Sequence, residues 1–216
     1  MLALLHTSPV HVPVFDALRD GEAPGLRLRH LVRPELLAAA RELGPEGVAE
    51  EVAGALGEVV RAGARAALCT CSTLGPVAEA AGPALGVPVL RVDRPMAAAA
   101  VAAGPRIAVL AAVASTLAPT GELIAEEAHR AGRRAEVRTL LVPHAWERFE
   151  SGDQEGYLAA VADAARRLRA AGGLDALVLA QASMAPAADL LGDDDGAPVL
   201  TSPRTGLVAA AQLASG

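Results

Sequence analysis

The sequence predicts an α/β protein made of two parallel-sheet lobes that repeat one another. Two observations predict the class, and a third predicts the duplication. Short apolar runs alternate with longer segments of helical period along the whole chain. Composition is that of a globular protein with a substantial core, 52% hydrophobic and 20% charged over 216 residues. Two blocks of sequence also recur in one ungapped register.

The elements follow in order. Leu-Ala-Leu-Leu-His (2–6) reads as a buried strand, after which the chain loops through Pro13. Residues 26–32 alternate in polarity and read as a more exposed strand, and 47–62 is helical by period. Ala-Ala-Leu-Cys (66–69) is a buried strand, 76–85 a short helix, 87–92 a strand and 96–103 a helix. Arg-Ile-Ala-Val-Leu-Ala (106–111) is a strand. Residues 117–131 form a helix with Thr116 as its expected N-cap and Gly132 as its stop. Residues 136–142 form a strand, and Asp153 caps a helix running to Gly172. A strand at 176–180, a short helix at 186–191, a strand at 197–201 and a helical remainder complete the chain. Strands that alternate with helices form parallel sheets, whose ligands sit beyond the carboxyl ends of the strands.

Residues 67–82 lie over 177–192 at an offset of 110, with Pro76 on Pro186, Ala78 on Ala188, Glu79 on Asp189 and Gly82 on Gly192. Residues 87–94 fall on 197–204 at the same offset, Arg94 on Arg204 included. Shared composition explains one such block; two blocks in one register indicate duplication. The expected division is 1–94 plus 195–216 for the first lobe and 95–194 for the second. Two copies facing each other would put the active site in the cleft between them, with Cys71 opposite Gln181 and Thr73 opposite Ser183.

Several function classes are disfavoured. A net charge of −6 and only four aromatic residues argue against nucleic acid. The weakly polar run 95–119 is cut by Gly104-Pro105 and filled with alanine, which argues against a membrane span. The apolar run at the N-terminus is too short for a signal peptide, so a cytoplasmic location with reduced thiols is the expectation. The five histidines and two cysteines show no metal-ligand spacing, and no metal or other cofactor is expected. Apolar helix faces make a homodimer a reasonable expectation.

The motifs that end the strands resemble those of the aspartate/glutamate racemase superfamily. Cys71-Ser72-Thr73 matches its first motif, Cys-Asn-Thr, and Ala180-Gln181-Ala182-Ser183-Met184 stands where a Gly-Cys-Thr motif is usual. A bacterial subgroup labelled loosely as Asp/Glu racemase-like is closer still. It shares His-Thr-Ser-Pro-Val (6–10), Cys-Thr-Cys-Ser-Thr (69–73), Arg-x-Asp-Arg-Pro-Met (91–96) and Leu-Ala-Gln-Ala-Ser-Met (179–184). The resemblance implies two pseudo-symmetric lobes and cofactor-independent chemistry on a small carboxylate or carbonyl substrate, with one cysteine from each lobe flanking it. Two departures matter: His6 stands where amino-acid racemases carry an acidic residue, and Gln181 replaces the second cysteine.

Cys71 leaves a buried strand before a helix, where free N–H groups and the helix dipole favour a thiolate. Cys69 lies deeper on the same face and is expected in the core. His6 ends the first strand and is a candidate second acid or base; His11 is a weaker one. Ser8, Ser72, Thr73, Thr116, Gln181, Ala182 and Ser183 are the candidate substrate-binding positions, with Ser115 and Thr120 as further contributors to an anion frame. Arg91, Asp93 and Arg94 read as salt-bridged support. A glutamine has no accessible pKa, so two-thiol racemisation is not expected. One-thiol isomerase, racemase-like or decarboxylase-like chemistry is the leading reading. A non-catalytic small-anion-binding protein on the same fold is the alternative.

Overall fold

The first sheet forms around two strands with no polar residue before their ends, β1 (Leu2–His6) and β3 (Ala66–Cys69), each buried along its length. A strand covered on both faces must be apolar on both faces, which is why the sequence shows runs there and not alternation. The half-exposed β2 (Leu28–Val32) and the short β4 (Val89–Arg91) flank them in the order β2-β1-β3-β4, all parallel. The second sheet has the same order: β6 (Glu136–Leu141), β5 (Arg106–Ala111), β7 (Ala176–Leu179), β8 (Val199–Thr201). The computed structural model describes residues 1–192 and 196–215.

The repeat extends to the hydrogen-bond register. Ala67 pairs with Val89 and Leu68 with Leu90; at an offset of 110, Leu177 pairs with Val199 and Val178 with Leu200. Beyond the central strands, Thr70 N–H donates to Leu5 O and Ala180 N–H to Leu110 O, both at 2.9 Å. The first strands of the two halves correspond at a smaller offset, because the connections after them differ in length.

The chain divides into two units, Met1–Asp93 with Pro203–Gly216, and Arg94–Ser202. The expected boundary at 194/195 lies outside the described residues, and the return crossing falls later, at Ser202/Pro203. Val199–Thr201 stays with the second unit because it pairs with β7. The first unit therefore receives its last helix, α9 (Pro203–Ser215), from the far end of the chain. Gly206 permits this packing: a Cβ there would lie 2.5 Å from Val92 O.

The remaining helices are α1 (His11–Glu22), α2 (Pro34–Leu43), α3 (Ala49–Arg61), α4 (Gly75–Leu85), α5 (Arg94–Ala103), α6 (Leu117–Arg130), α7 (Ala145–Glu150) and α8 (Gln154–Ala170). In the first unit, Ala3, Leu5, Ala67 and Cys69 pack under α2, α3 and α4, while Leu2, Leu4, Ala66 and Leu68 pack against Phe15 of α1 and Leu207 of α9. In the second, Ile107 and Val109 meet α5 and α6, and Ala108 and Leu110 meet Tyr157 and Val161 of α8.

Three expectations are corrected. The loop through Pro13 is the start of α1, because proline in the first helical turn removes only an N–H that has no partner there. The helix expected at 186–191 is a 3₁₀ segment from Ala182 to Leu190, with Pro186 inside it. Thr116 precedes α6 but makes no side-chain cap, since its own backbone is already helical. Asp153 does cap α8, accepting from Gly156 N–H at 2.9 Å. The run 95–119 splits at Gly104-Pro105 into α5 and β5, and no helix among the described residues is long and apolar enough to cross a membrane.

Candidate active site

The first unit gathers its polar residues at the carboxyl edge of its sheet. His6 ends β1, and Thr70, Cys71, Ser72 and Thr73 follow β3 as a turn into α4. The Thr7 side chain and the backbone N–H groups of Leu74 and Thr73 act on the Cys71 thiol to lower its pKa. Burial nevertheless dominates and pushes its pKa up, and the nearby Asp93 carboxylate adds to the rise. These groups reduce the desolvation cost without overcoming it. Cys69 is fully buried, with its Sγ donating to Cys71 O at 3.5 Å, and burial raises its pKa strongly; it belongs to the core, as expected.

A buried ion pair braces the thiol turn. Arg91 grips Asp93 with two bonds, Nε to Oδ1 at 2.7 Å and Nη2 to Oδ2 at 2.8 Å, and Nη2 also reaches Ser72 O at 3.4 Å. The guanidinium lies across the first turn of α4, which carries Gly75 there: an added Cβ would fall 2.8 Å from Arg91 Nε. Arg94 binds Glu126 and Glu127 of α6.

His6 is 0% exposed, and both its ring nitrogens have protein partners. Nδ1 meets Thr70 Oγ1 and Nε2 meets His30 Nδ1, each at 2.8 Å, and His30 Nε2 lies 3.3 Å from Asp16 Oδ1. Burial, then the charges of His30 and His11, pull the His6 pKa down to about 3; burial alone takes His11 to about 4. His6 is thus a neutral, doubly hydrogen-bonded link between β1, β2 and β3. Ser8 sits in the following turn, its carbonyl accepting from His11 N–H at 3.4 Å.

The second unit gathers Thr116, Gln181, Ala182 and Ser183 at the carboxyl edge of its own sheet. Gln181 follows β7, and its Oε1 accepts from two N–H groups just past β5, Ala112 at 2.6 Å and Val113 at 3.1 Å. Ser183 Oγ shares a 2.8 Å hydrogen bond with the hydroxyl of Tyr157, whose burial pushes its pKa up to about 12. Ala182, Thr116 and Thr120 are buried, and Thr120 Oγ1 has no hydrogen-bond partner among the described residues.

Each of the two parallel sheets thus carries a polar cluster at its carboxyl edge, one with a buried thiol and one with an anchored amide. A family model described as Asp/Glu/Hydantoin racemase matches residues 13–210. The chain belongs to that family. Solved structures of the same fold include glutamate racemase from Bacillus anthracis, at TM-score 0.69 and 19% identity, covering 97% of this chain and 79% of that one. Allantoin racemase from Pseudomonas fluorescens follows at 0.59 and 19%, covering 99% and 90%. Arylmalonate decarboxylase also shares the fold, at 0.59 and 19%, covering 100% and 92%. No curated protein sequence matches the chain.

The sequence reading found the strand-end positions of this racemase-family chain but missed their partners. Thr7, His30 and Asp16 in the first unit and Tyr157 in the second carry no local signal, because each meets its partner through tertiary contact. Only Thr7 could have been found, since it stands within the His-Thr-Ser-Pro-Val motif.

Proposed function

We propose that the chain is a cofactor-independent enzyme of the Asp/Glu/Hydantoin racemase family that acts at a carbon next to a carboxylate or carbonyl, with Cys71 carrying the proton. The observation that supports this reading is that Thr7, Leu74 and Thr73, at the strand end and the turn into α4, each favour the Cys71 thiolate against burial. Hydrogen bonds to a sulfur are worth most when it is an anion. Groups that favour the thiolate, where burial keeps the thiol protonated, therefore stabilise the state reached after the proton has left, which is differential stabilisation along the reaction. In the step proposed, Sγ–H gives its proton to the α-carbon of an enediolate or carbanion. A C–H bond forms, the S–H bond breaks, and the thiolate remains until solvent returns a proton. The reverse step removes an α-proton. Gln181 has no proton to offer at ordinary pH, so the second polar cluster binds and does not titrate.

Turnover in D₂O tests this. Amino acids, substituted malonates and hydantoins are incubated with the protein, and the α-proton signal, or product, is followed by NMR. At least one compound is expected to exchange or react, with a loss of about 100-fold or more in Cys71→Ser. Equal turnover by wild type and Cys71→Ser overturns the mechanism.

A second reading, a non-catalytic small-anion-binding protein, draws on the upward shift of the Cys71 thiol, because a protonated thiol is a poor nucleophile. It predicts ligand-induced thermal stabilisation without exchange, unchanged by Cys71→Ser.

A further inference from the structure

The second polar cluster contains an arrangement that the family motif does not explain. A backbone N–H can only donate, so the two such groups at Ala112 and Val113 fix which end of the Gln181 amide faces them: the oxygen, at 2.6 and 3.1 Å. The side chain is partly buried, and both of its hydrogen bonds are accepted at the oxygen. The two N–H groups at the end of β5 are the kind of donors that would otherwise hold an anion. Here a neutral oxygen of the chain itself occupies them. Their polarisation passes through the amide, because hydrogen bonds accepted at C=O strengthen the N–H groups of the same amide as donors.

We propose that Gln181 is a relayed donor post: its amide nitrogen binds an unprotonated oxygen of the ligand, carboxylate or carbonyl, and rejects an ammonium group at that point. The inference rests on the activity proposed above and narrows its substrate class. A ligand group that must give or take a proton is not served at this position; an oxygen that stays an acceptor throughout the reaction is. Substrates that pair a reacting carbon with an acceptor oxygen at this end fit, whereas those that present an amine there do not.

The test uses the whole protein with ¹⁵N in its glutamine side chains, which gives three amide groups, Gln154, Gln181 and Gln212. The probe is methanedisulfonate, whose oxygens accept and do not titrate near neutral pH. Titration is expected to shift the Gln181 NH₂ signal saturably and to leave the other two in place. Gln181→Glu keeps an oxygen for Ala112 and Val113 but turns the outer end from donor to anionic acceptor. At pH 7.5 it is expected to lose disulfonate affinity by about tenfold or more. It should gain saturable binding of 1,2-diaminoethane, read on the Ala112 and Val113 amides, a gain that a misfolded variant cannot produce. Gln181→Met, of similar length, should lose the first without gaining the second. Disulfonate binding by Gln181→Glu at wild-type affinity, or an unmoved Gln181 signal, overturns the proposal. A responding Gln181 signal together with turnover that ignores Cys71→Ser overturns the enzymatic reading and leaves the donor assignment standing.

Discussion

At the scale of the residue, Cys71 is a thiol under opposing influences. Burial, reinforced by Asp93, raises its pKa; the Thr7 hydroxyl and the Leu74 and Thr73 N–H groups lower it. Each contribution can be removed separately. Thr7→Val takes away a donor to sulfur, so the pH profile of Cys71 alkylation should move to higher pH and the rate at pH 7.5 should fall. Asp93→Asn removes the carboxylate and leaves the Arg91 cation beside the turn, so the profile should move the other way. That second variant breaks a buried ion pair and is expected to cost about 3–5 kcal/mol of stability, measured by urea unfolding. Cys69, with no exposed surface, should stay unmodified in the folded protein, so mass spectrometry of the native protein should find one alkylated thiol. Opposite movements in Thr7→Val and Asp93→Asn are the required outcome; a profile that ignores both would mean that burial alone sets the thiol.

At the scale of the element, the polar clusters are strand ends, and this is why much of them was legible. Strands buried on both faces read as uninterrupted apolar runs, so His6 at the end of β1 and Cys71 and Gln181 two residues past β3 and β7 could be located from sequence. The duplication was legible for the same reason, since the offset of 110 in sequence is the offset of the β3·β4 and β7·β8 registers. What could not be read was packing. His6 pairs with Thr70 and His30 across 64 and 24 residues, and no local pattern announces this. Helix α1 was hidden by a proline that the first helical turn tolerates. The start of α4 shows how tight such packing is. Arg91 is held by Asp93 and cannot swing aside freely, so Gly75→Ala, with its Cβ 2.8 Å from Nε, must shift either the guanidinium or the helix. The expected cost is about 1–3 kcal/mol in urea unfolding, with lower Cys71-dependent turnover because the Arg91 bond to Ser72 O is strained. An unchanged midpoint would show that the arginine has room to move.

At the scale of the molecule, acid should unfold the two units unequally. The two histidines with depressed pKa values, His6 and His11, both lie in the first unit. A histidine that is neutral when folded and ordinary when unfolded takes up its proton on unfolding. Stability is therefore intact above an unfolded pKa of about 6.5 and declines as pH falls towards the folded values of about 3 and about 4. Each group contributes a slope of about 1.4 kcal/mol per pH unit over its window. Natural reporters separate the units, since Cys69 is buried in the first and the single Trp146 lies in the second. In urea titrations between pH 6.5 and pH 4, labelling of Cys69 by 4,4′-dithiodipyridine should move to lower urea faster than the Trp146 fluorescence transition does. His11→Gln should remove about one proton's slope from the Cys69 curve and little from the Trp146 curve. Coincident movement of both probes at every pH would mean that the units unfold as one, and a His11→Gln slope equal to wild type would mean that His11 titrates in the folded protein as it does in the unfolded chain.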